Sequence, residues 1–475
     1  MDLSQGATDG HVVVAGGSIA GLATALALGR LGCPVTVVER DPLAEFDDAE
    51  SAFAAERHGA PQAHQTHGFL ARLTVVLRER FPDVLDVLRA AGAESMTLTG
   101  SLGEPEPGDE DLNTLIVRRT TFEWALRDAV RHEPHVTYRA DTGIDGLVVA
   151  EGSAARPHVI GARLADGSVL SGSVVAATGR RGAVPAWLAE VGVTLAEDVS
   201  DTHIIYLTRW YRRPAGLAID VDARLGGDFG YLKYLAIPCD GSTFSVTLAV
   251  RSHDSELRGL LLDPAIFDRA CRVLPGPDRF FVSGAIESVG PVRPMGGLIN
   301  RLRHFTDSTG QALVTGFHAV GDAHTCTNPM YGRGCALAFV QATLLSDAFA
   351  AHPDDPAQRA ATYERLCTRE VKPWFDLSVM MDSFGDSDGV PKEPDAFMKK
   401  FGALVADVML GRPVDPVIAR GLLRMINTLV RPDELMSDTE FVGRIASYFA
   451  GPEVDQSDLV ALRISRGALL DAVAA

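Results

Sequence analysis

The residues whose types and spacing suit a binding chemistry come near the start of the chain. An apolar run, Val12 to Ala15, leads into Gly16, Gly17 and Ser18, and Gly21 closes the turn. Leu22 to Leu31 is rich in Ala and Leu and predicts a helix ending at Gly32; Val35 to Val38 predicts a second buried strand tipped by Glu39. In such a unit the backbone N–H groups of Ser18, Ile19 and Ala20, with the positive end of the helix, face a pyrophosphate. Gly16 permits the tight turn, and Gly21 and Ala25 let the helix lie close on the strands. Glu39 suits the vicinal hydroxyls of a ribose and repels a 2′-phosphate. The complete spacing predicts a dinucleotide-binding unit.

Further along, 57-RHGAPQAHQTHGFLAR-72 places Arg57, Pro61, Gln62 and His67 on a Gly/Pro-bearing segment after that unit, suited to clamp a cofactor or to form an ordinary surface loop. Arg119 falls at a strand–helix junction, with Thr120 or Thr121 the expected N-cap. In 317-FHAVGDAHTCTNPMYGRGCALAFVQATLLSDAF-349 a short strand ends at Gly321-Asp322. A loop with Pro329, Gly332 and Gly334 then enters a long Ala/Leu helix, able to stabilise negative charge or simply to start the helix. Tyr206, Arg209 and Tyr234 are the catalytic candidates on a later β-rich stretch, with sheet packing as their ordinary reading.

The elements that must position these groups alternate. Residues 69–93 read as a helix, 101–112 as a flexible acidic loop, and 136–178 as a β-meander with a turn at Asp166-Gly167. Residues 203–300 are rich in β-branched and aromatic residues and predict a mostly antiparallel sheet, the substrate platform. Met380, Met381, Phe384, Met398, Phe401 and Met409 recur at helical spacing and predict core. The expected fold is α/β: a Rossmann-type domain formed by 1–80, 112–200 and 285–350, interleaved with an antiparallel-sheet substrate domain of 81–111 and 201–284, plus a helical region, 351–475.

With 475 residues, 46% of them hydrophobic, the chain can bury a large core. A net charge of −18 without a basic stripe argues against a nucleic-acid partner. Six cysteines without a CxxC pair, and histidines without HxxxH spacing, predict reduced thiols and no metal site. The polar start lacks a signal pattern, and no uninterrupted apolar run reaches the roughly 18 residues of a membrane span. A cytoplasmic location is expected.

Residues 12–39, Arg119, and 321-GD-322 followed by Pro329, Gly332 and Gly334 resemble the three FAD-contacting motifs of single-component (group A) flavoprotein monooxygenases, which share the para-hydroxybenzoate hydroxylase fold. The segments 57-RHGAPQAHQTH-67, 119-RTTFEW-124 and 206-YLTRWYR-212 are similar to actinobacterial flavin-dependent epoxidases of polyether biosynthesis. The resemblance covers about the first 350 residues. Where the family carries an Asp-Gly pair after the meander this chain has 178-TGRRG-182, and Thr325 replaces a histidine common in the later loop.

The resemblance implies that Gly16, Ser18, Ile19, Ala20 and Gly21 hold the pyrophosphate of FAD, Glu39 its adenosine ribose, and that Arg40 lies beside the adenine. It implies that Arg57, Gln62 and Arg119 contact phosphates or flavin, and Asp322 the ribityl and pyrophosphate region. Gly332 and Gly334, in the loop opened by Pro329, would face the flavin N1–O2 edge. The implied activity is a monooxygenase: NADPH or NADH as transient reductant, O2 as co-substrate, and a flavin C4a-hydroperoxide delivering one oxygen atom to a small apolar, secondary-metabolite substrate by epoxidation or hydroxylation. Two alternatives remain, an FAD-dependent reductase of a prenyl or alkene substrate and a non-catalytic FAD-binding protein. A halogenase signature is unmet at 233-KYLAIP-238.

Overall fold

Short runs, Val-rich and buried at the centre, form the central sheet. Val12–Ala15, Val35–Val38, Val136–Arg139, Ser173–Ala176 and Phe317–Ala319 lie parallel, in the spatial order 317–319, 173–176, 12–15, 35–38, 136–139. Val12 stands opposite Val35 on one side and Ser173 on the other. Parallel strands need cover on both faces, and both are covered. Helices Ile19–Arg30, Arg119–His132 and Gly334–Ala351 share one core with Val12 and Val14. On the opposite face, Val13, Ala15 and Val38 pack beneath an antiparallel meander, Ile144–Val149, Val159–Leu164 and Val169–Ser171, and beneath Trp187 of the helix Val184–Glu190. The computed structural model describes residues 10–42, 46–97, 99–152, 156–214, 225–281, 285–383, 396–452 and 464–474; the polar start, residues 1–9, and Phe384 lie outside them.

The β-rich stretch forms a second, antiparallel sheet in the order Gly226–Asp228, Leu232–Cys239, Thr243–Arg251, Ile204–Arg212, Glu287–Met295. Its period of two sorts the side chains. Leu207, Tyr211, Tyr234, Phe244 and Leu248 face outward, under a layer that includes Leu257, Phe267 and Leu469. Tyr206, Ala249, Trp210 and Ile237 face inward, toward Leu298, Phe53 and Ile116. Asp240 docks this sheet against helix Arg119–His132, accepting from Arg118 N (2.7 Å), Arg118 Nε (2.9 Å) and Thr121 Oγ1 (2.7 Å).

The remaining chain is helical. Pro356–Glu370 and Lys372–Ser383 pack Tyr363, Cys367, Trp374 and Leu377 into the central core. Ala396–Met409, Pro416–Ile426 and Thr439–Ala450 enclose a smaller core shared with Leu102 and Leu112. Met381, Phe401 and Met409 pack against these cores, whereas Met380 is exposed. Among the described residues one helix, Gly334–Ala351, is long and apolar enough to cross a membrane; most of it is buried inside the protein.

Three local expectations change. The helix expected over 69–93 is two, Ala71–Arg80 and Pro82–Ala90, because Pro82 lacks an N–H and disfavours helical geometry at Phe81. The acidic loop 101–112 is fastened: Leu102 and Leu112 are buried, and Arg420 bonds Asp109 (3.1 Å) and the Glu104 carbonyl. The helix expected to be capped by Thr120 or Thr121 starts at Arg119, with Arg118 at the cap position.

Candidate functional site

The glycine turn follows from backbone sterics. Gly16 has φ +114°, and a Cβ built on Gly21 would lie 1.8 Å from Gly16 O, so no larger residue fits there without moving the chain. No side chain caps the helix Ile19–Arg30. Instead the Ser18 hydroxyl donates to Glu123 Oε2 (3.2 Å) and accepts from Arg119 Nη2 (3.1 Å). The first-turn N–H groups are therefore left for a ligand. Glu39 is buried at the tip of its strand; Oε2 accepts from Gly17 N (2.7 Å) and Oε1 from Asp41 N (2.9 Å). Each oxygen keeps a further lone pair for a hydroxyl donor. Arg40 is exposed at the rim beside it.

Helix Arg119–His132 carries the charge centre. Glu123 sits one turn from both Arg119 (3.7 Å) and Arg127 (2.9 Å), and Arg57 bonds its Oε1. Burial opposes ionisation of Glu123, but Arg57, Arg127 and Arg119 outweigh it and hold the carboxyl down to about 2. Arg57 also donates to Asp41 (3.1 Å) and lies 3.7 Å from Glu39. Arg57 Nη2 and Arg119 Nε are buried without a hydrogen-bond acceptor. Arg119 Nη1 meets His67 Nε2 at 3.0 Å, and His67 Nδ1–H donates to Gln65 O (2.8 Å). Burial first, and Arg119 second, press the His67 imidazole down to about 3, so it stays neutral.

Gln62 is half-buried in the turn Pro61–His64, which packs against helix Arg119–His132. Its neighbour Gln65 reaches the second sheet instead, accepting from Thr208 Oγ1 (2.5 Å).

The later glycine loop closes on the same place. A Cβ on Gly321 would lie 2.8 Å from Ala20 Cβ, which sets Asp322 beside the start of the first helix. Burial raises the Asp322 carboxyl, against the opposing charges of Arg180, Arg119 and Arg301. Pro329 begins a single turn, Pro329–Tyr331, and a Cβ on Gly332 would lie 3.5 Å from Gly68 O, next to His67. Helix Gly334–Ala351 then begins, also without a side-chain cap, and Cys335 in its first turn feels Arg119, Asp322 and Glu123. Gly16 to Gly21, Arg57, Arg119, Asp322 and Gly334 are thus brought together.

Of the catalytic candidates only Tyr206 faces this region. Its hydroxyl donates to Asn328 Oδ1 (3.4 Å), and its ring packs near Ala249, Met295, Leu298 and Met330. Arg209 and Tyr234 both point to the outer face of the sheet. Arg209 is committed to Asp268 (2.6 Å) and the Pro264 carbonyl (2.8 Å). Tyr234 packs against Phe229 and within the outer core. Sequence reasoning missed Glu123, Asp41, Arg127, Arg180 and Arg301. Only Glu123 had a signal, its spacing of four from Arg119 and from Arg127 on one helix face.

No family profile matches the sequence. A Mycobacterium tuberculosis protein designated Rv3254 is 26% identical over 454 residues, covering 88% of this chain and 90% of that one. Among solved structures, p-nitrophenol 4-monooxygenase PnpA from Pseudomonas putida aligns with TM-score 0.60 and 17% identity over 89% of this chain and 98% of that one. PqsL, a probable FAD-dependent monooxygenase from Pseudomonas aeruginosa, aligns with TM-score 0.54 and 16% identity over 79% and 94%. The Diels-Alderase PyrE3 of pyrroindomycin biosynthesis aligns with TM-score 0.58 and 16% identity over 88% and 80%. The fold of this chain, a mixed α/β body with one parallel sheet, antiparallel sheets and a C-terminal helical region, is therefore shared with solved structures that include a probable FAD-dependent monooxygenase and a p-nitrophenol 4-monooxygenase.

Proposed function

We propose that this chain binds FAD and acts as a monooxygenase, drawing electrons from NADPH or NADH and passing one oxygen atom of O2 to a small apolar organic substrate by epoxidation or hydroxylation. The observation that carries the reading is the meeting of two uncapped helix starts, at Ile19 and Gly334, with Arg57, Arg119 and Asp322. A flavin dinucleotide asks for an anion cradle in the middle, a diol acceptor at one end and an electropositive edge at the other. The residues fit that demand. The unspent donors of Arg57 and Arg119 suit pyrophosphate oxygens, Glu39 the adenosine ribose, and Asp322 the ribityl hydroxyls. The N–H groups around Gly332 and Gly334 suit the flavin N1–O2 edge, and Arg40 would lie at the adenine rim. Gln62 sits on the turn that packs against helix Arg119–His132 and would approach the cofactor from that side.

When bound, FAD supplies the electron and oxygen transfer itself. The chain's work is to orient and to exclude water. The inward face of the second sheet, with Tyr206, Ala249, Met295 and Met330, forms the apolar wall on the substrate side. All six cysteines are free thiols, which fits a reducing, cytoplasmic compartment. The names of PnpA and PqsL favour oxygenation. One fold hosts many reactions, the Diels-Alderase PyrE3 among them, so the activity must be measured.

The test is to purify the protein, record its visible spectrum and melting temperature with and without FAD, and follow NAD(P)H-dependent O2 uptake with apolar substrates under ¹⁸O2. Incorporation of ¹⁸O is expected. An alkene saturated without O2 consumption would make it a reductase. Bound FAD without turnover would leave a binding protein. A colourless protein with no thermal response to FAD would refute the reading altogether.

A further inference from the structure

The turn before the second site helix is held by a part of the chain that the binding site otherwise does not use. Helix Lys372–Ser383 presents Trp374, Ser378 and Asp382 at successive turns of one face. Asp382 Oδ1 accepts from Tyr331 Oη (2.6 Å) and Asn328 Nδ2 (2.8 Å), and Oδ2 accepts from Asn300 Nδ2 (2.7 Å). Ser378 Oγ accepts from Arg333 Nη1 (2.9 Å), whose guanidinium lies 5.4 Å from the centre of the Trp374 ring and 4.9 Å from that of Tyr331. Asn328 in turn accepts from Met330 N (3.0 Å) and from the Tyr206 hydroxyl of the second sheet (3.4 Å).

We propose that Asp382 is a positioning residue for the cofactor ring: one carboxylate, taking three hydrogen bonds, sets the shape of residues 328–334 and through Asn328 couples that shape to Tyr206. The proposal rests on the FAD reading above. Pro329 apart, the turn has little stiffness of its own, since two of its residues are glycine and no side chain caps the helix that follows. An acceptor that is charged and shared by Tyr331, Asn328 and Asn300 restricts it far more than any single neutral bond. The pyrophosphate end is separate. Ser18 and Arg57 donate to Glu123 and Asp41, Arg119 donates to Ser18 and meets His67, and helix Lys372–Ser383 supplies none of these partners.

That separation makes a differential test. Dissociation constants for FAD and for ADP are measured on the full-length apo-protein for wild type, Asp382→Ala, Asp382→Asn and Tyr331→Phe, with the visible circular dichroism of bound FAD as a second readout. Asp382→Ala is expected to weaken FAD about tenfold, the scale of one or two lost hydrogen bonds, and to change the flavin dichroism. ADP, which reaches only the glycine-turn end, stays within about twofold. Asp382→Asn keeps an acceptor for Tyr331 and recovers part of the loss, and Tyr331→Phe falls between. Unchanged FAD affinity and dichroism in Asp382→Ala overturn the proposal. So does an equal loss for FAD and ADP, which marks a general structural role. If Asp382→Ala fails to fold, Tyr331→Phe decides by the same criteria. A wild-type protein that binds no FAD at all instead fells the cofactor reading, and this proposal with it.

Discussion

Glu123→Gln removes one negative charge while keeping the shape of the side chain. Three guanidinium groups face that carboxylate, which is 2% exposed, and their charges hold it at about 2 against an ordinary 4.5. At about 1.4 kcal/mol per tenfold, the difference is worth about 3 kcal/mol. The folded state gives up this proton more readily than the unfolded chain. Its stabilisation is therefore complete above about pH 4.5 and disappears as the pH falls through about 2. At pH 7 the substitution should cost the apo-protein about 3 kcal/mol, at the lower end of the range for breaking a buried ion pair. The effect on a phosphate ligand has the opposite sign, because Arg57 and Arg119 lose their competitor for an anion. Urea unfolding of both apo-proteins at pH 7 measures the first effect, and the rise in melting temperature on adding FAD measures the second. A loss below about 1 kcal/mol, or a smaller FAD response in the variant, would refute the electrostatic account.

Acid should weaken the apo-protein from neutral pH downward. Burial first, then Arg119 and Arg359 respectively, hold His67 and His318 at about 3, so the unfolded chain binds more protons below about 6.5 and stability falls from there toward pH 3. Urea midpoints that stay flat between pH 7.5 and 5.5 would contradict this. Gly21→Ala places a methyl 1.8 Å from Gly16 O and should cost about 1–3 kcal/mol or more while abolishing FAD and ADP binding together; retained ADP affinity would argue against the turn as the anion cradle. Asn427→Ala should cost about 1–2 kcal/mol in urea unfolding without changing FAD affinity, since Oδ1 of Asn427 accepts from Ala71 N and Thr114 Oγ1, both at 3.1 Å; an unchanged midpoint would show that this distant cap is idle.

Much of the candidate site could be read before any coordinates. The turn from Gly16 to Gly21 and the loop from Asp322 to Gly334 are contiguous, and their residue types answer to local backbone geometry. Arg119 could be seen only as an arginine at a junction, because its partners Ser18 and His67 lie 101 and 52 residues away. The facing of the second sheet could not be read at all. Strand Ile204–Arg212 is buried on both sides, so alternation separates Tyr206 from Arg209 without saying which of them looks toward the candidate site. The acidic loop 101–112 read as flexible because its charges had no local partner; Arg420 supplies one from 311 residues on.

The sequence by itself determined the strand–turn–helix–strand unit, the glycine turn and the acid at the strand tip, because dihedral freedom and nearest-neighbour hydrogen bonds set those. Only the tertiary structure decided that Glu123 gathers three arginines, that Arg209 and Tyr234 turn away, that Asp382 reaches back to the turn before Gly334, and that Asn427 reaches back to Ala71 and Thr114. Such pairings are made by side chains far apart along the chain, where burial and charge compensation choose the partner and local residue patterns carry no trace of the choice.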